Sequence, residues 1–293
     1  MTRLRPPRCC GQPPCDDNGR VIVLAATPIG NLGDASRRLV ETLSNASVIA
    51  AEDTRTAVHL MRALGIENRP RLIALHEHNE RERAADVVAL AQDDDVVVLT
   101  DAGMPAISDP GFPLVAAAAE AGVTVTAIPG PSAVLTALAV SGLPTDRFTF
   151  EGFPTRKQGE RRRSFEALAG ERRTMVFFES PHRLGDTLAD MAAAFGDDRR
   201  AVVCRELTKL HEEVRRDTLG ELAAWAADGS RGEICVVVEG SSGSDDVTSL
   251  DDGVRLVLER VAAGSRMKEA AAAVADATGL SKRDLYEGAL AAK

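Results

Sequence analysis

Short runs of apolar, largely β-branched residues recur along the first half of the chain, with longer stretches of helical apolar period between them. Residues 21–26, 47–51, 71–75, 96–100 and 123–128 read as strands. Residues 34–44, 55–64, 80–92 and 111–121 read as helices, several opening on Asp or Thr as caps. This alternation predicts a mostly parallel sheet covered on both faces. A helix starting at Pro131 runs out at Gly142 and Pro144, which places a domain boundary within 141–148. Beyond it, 148–152, 174–178, 200–205, 212–218 and 233–239 read as strands, with helices at 160–169, 181–195 and 219–227. Closely spaced strands near 200–218 leave no room for crossovers and predict a mixed sheet.

The pattern therefore divides the chain into a flexible extension (1–19), two α/β domains (20–145 and 146–242) and a small helical tail (243–293). Residues 241–252 read as a polar linker that turns into a helix start. The tail has three amphipathic segments, 254–263, 268–278 and 281–291, the last two joined by the turn Thr278-Gly279-Leu280. Such a module either binds RNA or packs on the second domain.

Composition narrows the class. At 293 residues the chain is long enough for two cores, and with aromatics at 3% those cores must be mostly Ala, Val, Leu and Ile. No run nears the roughly 20 apolar residues of a membrane helix. Arg3, Arg5 and Arg8 are followed by Pro and Cys, which does not read as a secretory signal. The expectation is a cytoplasmic protein with no membrane partner. Cys204 and Cys235 sit in strand-like runs and read as small apolar filler, while Cys9, Cys10 and Cys15 fall in the extension. Paired spacings suited to zinc are absent, so no metal is expected.

A net charge of −9 argues against non-specific coating of nucleic acid. Residues 154–183 depart from that balance. Basic Arg156, Lys157, Arg161, Arg162, Arg163, Arg172, Arg173 and Arg183 face only Glu160, Glu166, Glu171 and Glu179, a local excess of +4. This reads either as a solvated helix face or as a surface for a polyanion.

The chemistry sits in the loops that follow the strands, where parallel sheets bind ligands. They are Thr27-Pro28-Ile29-Gly30-Asn31-Leu32, Ala51-Glu52-Asp53-Thr54-Arg55, Asp101-Ala102-Gly103-Met104-Pro105 running on to Ser108-Asp109-Pro110-Gly111, and Pro129-Gly130-Pro131-Ser132-Ala133. Neither phosphate-loop spacing is present. Each alone is an ordinary turn or cap, but four such strand ends on one edge point to a ligand site. His76 and His78 flank Glu77 on an extended segment. With no third ligand in view, they read as substrate contact or loop structure.

In order and composition, ATPIGNL (26–32), AEDTR (51–55), HEHNE (76–80), DAGMPAISDPG (101–111), IPGPSA (128–133), EGFP (151–154), FESPHR (178–183) and RELTK (205–209) resemble the tetrapyrrole methylase superfamily of S-adenosylmethionine-dependent methyltransferases. Within it they resemble the branch that 2′-O-methylates a cytidine of 16S rRNA. The resemblance spans 21–240, and the tail is similar to that branch's C-terminal helical part. One departure is Met104, where the family carries Thr in Ser-Asp-Ala-Gly-Thr-Pro.

The resemblance implies two α/β domains of the class III methyltransferase type, with the donor S-adenosylmethionine folded in a cleft between them. It also implies a homodimer and a 16S rRNA substrate within the 30S subunit. Donor contacts carried over by position are Pro28, Asp101, Ala102, Gly103, Ser132 and Ala133, joined by Phe178 and Glu179 of the second domain. Glu52, Asp53, Glu206 and His182 are candidates for the general base, each equally readable as a salt-bridge partner. Arg156, Lys157, Arg161, Arg162, Arg163, Arg183 and Lys209 are candidates for RNA contact. Two other readings compete. C-methylation of a porphyrinoid requires an apolar cleft and leaves the basic run unused, and a non-catalytic ribosome-assembly factor leaves the intact donor loops unexplained.

Overall fold

The computed structural model describes residues 20–242, 250–262 and 264–292; the extension 1–19 and most of the linker, 243–249, lie outside the described residues. The first half forms five strands, β1 (Val21–Ala25), β2 (Val48–Ala51), β3 (Arg71–Ala74), β4 (Val96–Leu99) and β5 (Thr124–Ile128), in the order β3-β2-β4-β1-β5. All four neighbouring pairs are parallel. Alternate residues of each strand feed two cores. Val23, Ile49 and Val97 pack under helices α1 (Arg37–Asn45) and α2 (Thr54–Ala63). Ile22, Ala50 and Val98 pack under α3 (Glu80–Leu90) and α4 (Phe112–Glu120). The helix α5 (Ala133–Ser141) follows β5.

Strand β4 lies between β2 and β1, yet its chain leaves toward the opposite face from theirs. Neighbouring strand ends whose chains part in this way leave a crevice at the carboxyl edge, the usual ligand position in such sheets.

Local capping shifts several boundaries from those the pattern predicts. Residues 34–44 do not form one helix, because Asn31 caps a 3₁₀ turn at Leu32–Asp34. Helix α1 starts only after Ser36, whose hydroxyl accepts the Leu39 N–H at 3.0 Å. Pro131 likewise falls in the lead-in to α5, and Pro181 in the lead-in to the helix that starts at Leu184, rather than inside those helices.

The second sheet is mixed, as the close strand spacing predicts. It contains β6 (Phe148–Gly152), β7 (Thr174–Glu179), β8 (Arg200–Arg205), β9 (Glu213–Thr218) and β10 (Ile234–Val238), in the order β6-β7-β10-β8-β9. Strands β6 and β7 are parallel. The bonds Glu206 N–H to Glu233 O and Glu239 N–H to Arg200 O run β8 and β10 antiparallel. Helices α6 (Gln158–Leu168), α7 (Leu184–Phe195) and α8 (Leu219–Ala226) accompany this sheet. Phe165 of α6 meets Phe177 and Phe195 edge-on or tilted, with ring centroids 5.8 and 5.6 Å apart. Helices α9 (Leu250–Ala262), α10 (Met267–Thr278) and α11 (Lys282–Ala291) share a separate core of Val257, Ala271, Val274, Leu285 and Ala289.

By its contacts the chain divides into two compact units. Among the described residues, one holds 20–141 with Val203–Arg215 and Gly232–Cys235, and the other holds Gly142–Val202, Arg216–Arg231 and those from Val236 on.

One basic residue expected at the RNA surface belongs to the core instead. Arg161 is 4% exposed, and its guanidinium grips the Asp190 carboxylate of α7 at 2.5 and 2.8 Å. Arg162 reaches the other oxygen of Asp190 at 2.7 Å while remaining largely in solvent. Burial alone would raise Asp190, but hydrogen bonds from Arg162 and Arg161 hold it below its usual range. Periodicity could not reveal this, because Arg161, Arg162 and Arg163 are adjacent and only one of the three faces inward. Arg161→Ala should lower unfolding free energy in urea by about 3 kcal/mol, since it leaves a buried carboxylate poorly paired. Arg163→Ala should stay within about 0.5 kcal/mol of the parent. Equal losses would contradict the assignment.

Candidate active site at the carboxyl edge of the first sheet

Just past the last ladder bonds of β1 and β4 the two chains are tied to each other. The Thr27 N–H donates to Gly103 O at 2.9 Å and the Gly103 N–H donates to Thr27 O at 3.2 Å. Thr27 is fully buried, and its hydroxyl donates to Thr100 O at 3.3 Å. From the other side the Ala26 N–H donates to Ile128 O at 3.1 Å.

Glycine is needed where these loops meet. Gly103 has φ +84, a conformation L side chains avoid. At Gly130 an added Cβ would sit 2.8 Å from the Ala26 Cβ. The loops after β1, β4 and β5 are thus fastened into one surface. Pro28, Asp101, Ala102, Gly103, Ser132 and Ala133 all belong to it. Asp101, Ala102, Pro129 and Gly130 are exposed, Ser132 and Ala133 are half-buried, and Pro28 and Gly103 are buried.

Carboxylates crowd the same edge and interlock β2 with β4. The Asp101 N–H donates to Glu52 Oε2 at 3.3 Å, and the Asp101 carboxylate accepts in turn from the Asp53 N–H and the Thr56 hydroxyl. Burial raises Glu52, with repulsion from Asp101, Asp53 and Glu77 added and the Asp101 N–H opposing. Asp101 is likewise raised, first by burial. Asp53 goes the other way, to about 2, because Arg55 binds it at 2.6 Å. It also caps α2 through the Arg55 N–H at 2.8 Å. That makes it a weak proton acceptor.

Asp109 was not among the residues singled out for chemistry, yet it is the most perturbed carboxyl at this edge. Burial raises it to about 7, with repulsion from Glu52 and Asp101 added. No local pattern marks it, because the charges that act on it, Glu52 and Asp101, lie outside its own turn.

The remaining candidates are placed as follows. Glu206 accepts from the Glu233 N–H and from Lys209 Nζ, both at 2.9 Å, and is held below its usual range by them. Lys209 also reaches Glu233 at 3.1 Å, and its stem covers Gly30, where an added Cβ would lie 2.5 Å from Lys209 Cγ. Lys209 is therefore a structural cation bridging two carboxylates. Glu179 is buried, with its oxygens taken by Arg183 at 2.5 Å, Thr187 at 2.5 Å and the Ser180 N–H at 2.6 Å. Arg183 is consequently paired with Glu179 and half-buried rather than a free surface cation. Phe178 packs against Phe150 and Phe153, at 4.9 and 5.5 Å. His182 is exposed and lines a cavity of about 490 Å³ with Asp186 and small residues of α7 and α8. His76 and His78 stack edge to face at 6.0 Å, with the His76 N–H tied to Asn79 Oδ1 at 2.9 Å. Among the described residues, no group of three or more His, Cys, Asp or Glu side chains is arranged to hold a metal.

A surface of open backbone and carboxylates fits a ligand that is cationic and bears its own hydrogen-bonding ends.

Residues 21–223 match the family model of the Tetrapyrrole (Corrin/Porphyrin) Methylases, and residues 248–293 match the RsmI C-terminal HTH domain. The chain is 50% identical to ribosomal RNA small subunit methyltransferase I of Mycobacterium tuberculosis, over 93% of its own length and 95% of the relative's. The protein of the same name from Pseudomonas aeruginosa is 44% identical (92% and 96%), and that from Escherichia coli O157:H7 is 40% identical (94% and 96%). Among solved structures, the methyltransferase CobJ aligns with TM-score 0.56 at 19% identity, covering 76% of this chain and 95% of that one. Uroporphyrin-III-C-methyltransferase from Thermus thermophilus aligns with TM-score 0.53 at 18% identity, covering 74% and 93%. These two establish a shared fold.

The raised Asp109 has a stability consequence. Between its ordinary 3.8 and about 7 the folded chain keeps a proton that the unfolded chain has released, so stability falls as pH rises through that window. Asp109→Asn removes this penalty. Its melting temperature should exceed the parent's by roughly 2–4 °C at about pH 8 and converge with it near pH 4. A constant difference across that range would show that the carboxyl titrates normally.

Proposed function

The chain belongs to the ribosomal RNA small subunit methyltransferase I family of the tetrapyrrole methylases, and from that membership we propose that it transfers a methyl group from S-adenosylmethionine to the 2′-hydroxyl of a cytidine in 16S rRNA. The observation that carries the reading is the reciprocal Thr27–Gly103 bridge. It fastens the loops after β1 and β4 beside the carboxylates, and the Ala26–Ile128 bond adds the end of β5.

The donor, when bound, supplies a methyl group on a positively charged sulfur. Asp101, Ala102 and Gly103 would hold it from β4, Ser132 and Ala133 from β5, and Pro28 from β1. The surrounding carboxylates favour its positive charge. Transfer is an in-line displacement, so the chief task of these loops is to fix one reacting partner in a single orientation. A ribose hydroxyl is a poor nucleophile and needs a proton acceptor as the new bond forms. Of the four acceptors read from sequence, Asp53 and Glu206 are stabilised in their charged forms by partners, which leaves Glu52 as the one at this edge with raised basicity.

Holding a polyanion is the work of another part of the chain. Arg156, Lys157 and Arg163 are exposed at the start of α6, and Arg162 is largely exposed beside them. Cations so arranged neutralise phosphates of a single-stranded segment.

The test is to incubate the chain and labelled donor with 30S subunits, naked 16S rRNA and uroporphyrinogen, then hydrolyse the RNA in alkali. A 2′-O-methyl group blocks cleavage at its own linkage, so label should appear in one alkali-resistant dinucleotide. Label released as a mononucleotide would place the methyl on a base. Label in uroporphyrinogen alone would make the substrate a porphyrinoid, and no label in any of them would favour an assembly factor.

A further inference from the structure

In a chain with eight phenylalanines, three gather at one point on the edge of the second sheet. Phe178 of β7 packs against Phe150 of β6 and against Phe153 just beyond it, with ring centroids 4.9 and 5.5 Å away. Phe150 and Phe178 are half-buried, but Phe153 is 60% exposed. Leaving most of a phenyl ring in water forgoes the stabilisation that burial gives Phe165 and Phe177 in the core of the same unit.

The surroundings impose this position on the ring. Phe150 pairs with Val176 while Gly152 pairs with Phe177, so the ladder slips by one residue between them. Gly152, with φ +68, turns the end of β6 and re-aims the residue that follows. On the other side Pro154 is buried, and its carbonyl accepts Arg183 Nη2 at 3.1 Å. Arg183 is held in turn by buried Glu179, which also takes the Thr187 hydroxyl and the Ser180 N–H. The backbone is thus fixed before and after Phe153, and Phe178 braces the ring from below, while most of its surface stays open.

Charge decides what such a ring can meet. Arg156 and Lys157 follow it by three and four residues, at most about 11 and 14 Å along the chain, and both are exposed. Lys157 pairs with Glu160 at 3.1 Å, an exposed contact that water largely screens. The acidic neighbour Glu151 lies within electrostatic reach of Arg173. Phe112 makes the contrast: it is 73% exposed, but it follows Asp109 and a Gly111 N–H bound by Glu80, in acidic surroundings. A rigid open ring beside cations fits a base of single-stranded RNA, whose phosphates those cations neutralise.

We propose that Phe153 is a stacking platform for one unpaired base of the RNA substrate, with Arg156 and Lys157 on the adjoining phosphates. The proposal rests on the rRNA methyltransferase reading above. Phe178 and Arg183 are then positioning residues, the first bracing the ring and the second holding the carbonyl that follows it.

The full-length parent, Phe153→Ala, Phe153→Leu and Phe153→Tyr are compared by steady-state transfer to 30S subunits. Affinity for S-adenosylhomocysteine is measured on each by calorimetry. Phe153→Ala should raise KM for 30S subunits on the order of 10- to 100-fold through the loss of one stacked base. Its kcat should change little, the signature of binding shared by ground and transition states, and its product affinity should stay within about twofold of the parent. Phe153→Leu, which is apolar but has no ring face, should be nearly as impaired. Phe153→Tyr should stay within about threefold of the parent. A Phe153→Ala enzyme with the parent's KM overturns the proposal. So does a Phe153→Leu enzyme that matches the parent, since the contact is then apolar rather than stacked. Product affinity that falls in parallel with the rise in KM puts the ring against the donor's adenine and overturns it as well. Label from the parent in uroporphyrinogen alone overturns the functional reading and this proposal together. Ribose methylation of 16S rRNA by the parent, with an unchanged KM for Phe153→Ala, overturns this proposal alone.

Discussion

The site depends on one backbone constraint, the pair of hydrogen bonds that ties Thr27 to Gly103 beyond the ends of β1 and β4. In a parallel sheet the last residues of each strand turn away to their own helices and would leave peptide groups unsatisfied. Because β4 lies between β1 and β2 and departs to the opposite face, its first loop residues run past the end of β1 and meet them there. Only a residue tolerant of φ +84 can stand at that crossing, and Gly103 does. On the other side of β1 the Ala26 N–H bonds Ile128 O and Gly130 lies close against Ala26, so the end of β1 joins the loops of β4 and β5.

Electrostatics then separates the two tasks of the protein. The carboxyl edge of the first sheet gathers Glu52, Asp53, Asp101 and Asp109, which favours a cationic donor and disfavours a polyanion. Exposed Arg156 and Lys157 just before α6, with Arg163 on it, supply the opposite potential. Crowding of like charges also raises Glu52, Asp101 and Asp109 together.

Strand order aside, much of the fold was legible in the chain. Continuous apolar runs such as 96–99 announced buried parallel strands, and Gly and Pro at their ends announced the loops. What escaped was set by contacts distant in sequence. Arg161 looks like its neighbours until α7 brings Asp190 against it, and Lys209 looks like a surface cation until Glu206 and Glu233 enclose it. Glu179 and Arg183 read as separate site residues but form one ion pair, with Glu179 buried and Arg183 half-buried. Asp109 was hidden for the converse reason: it is defined by the partner it lacks, and a missing partner is visible only once the fold has placed Glu52 and Asp101 near it.

The central claim is that the loops fastened by Thr27 and Gly103 are the donor surface. Hydrogen exchange of the full chain with and without S-adenosylhomocysteine tests it most directly. Amide protection should increase at Ala102–Met104 and Gly130–Ala133 and remain unchanged at the start of α6 around Lys157. Protection confined to α6, or absent from the 102–104 and 130–133 segments at saturating ligand, would contradict the account.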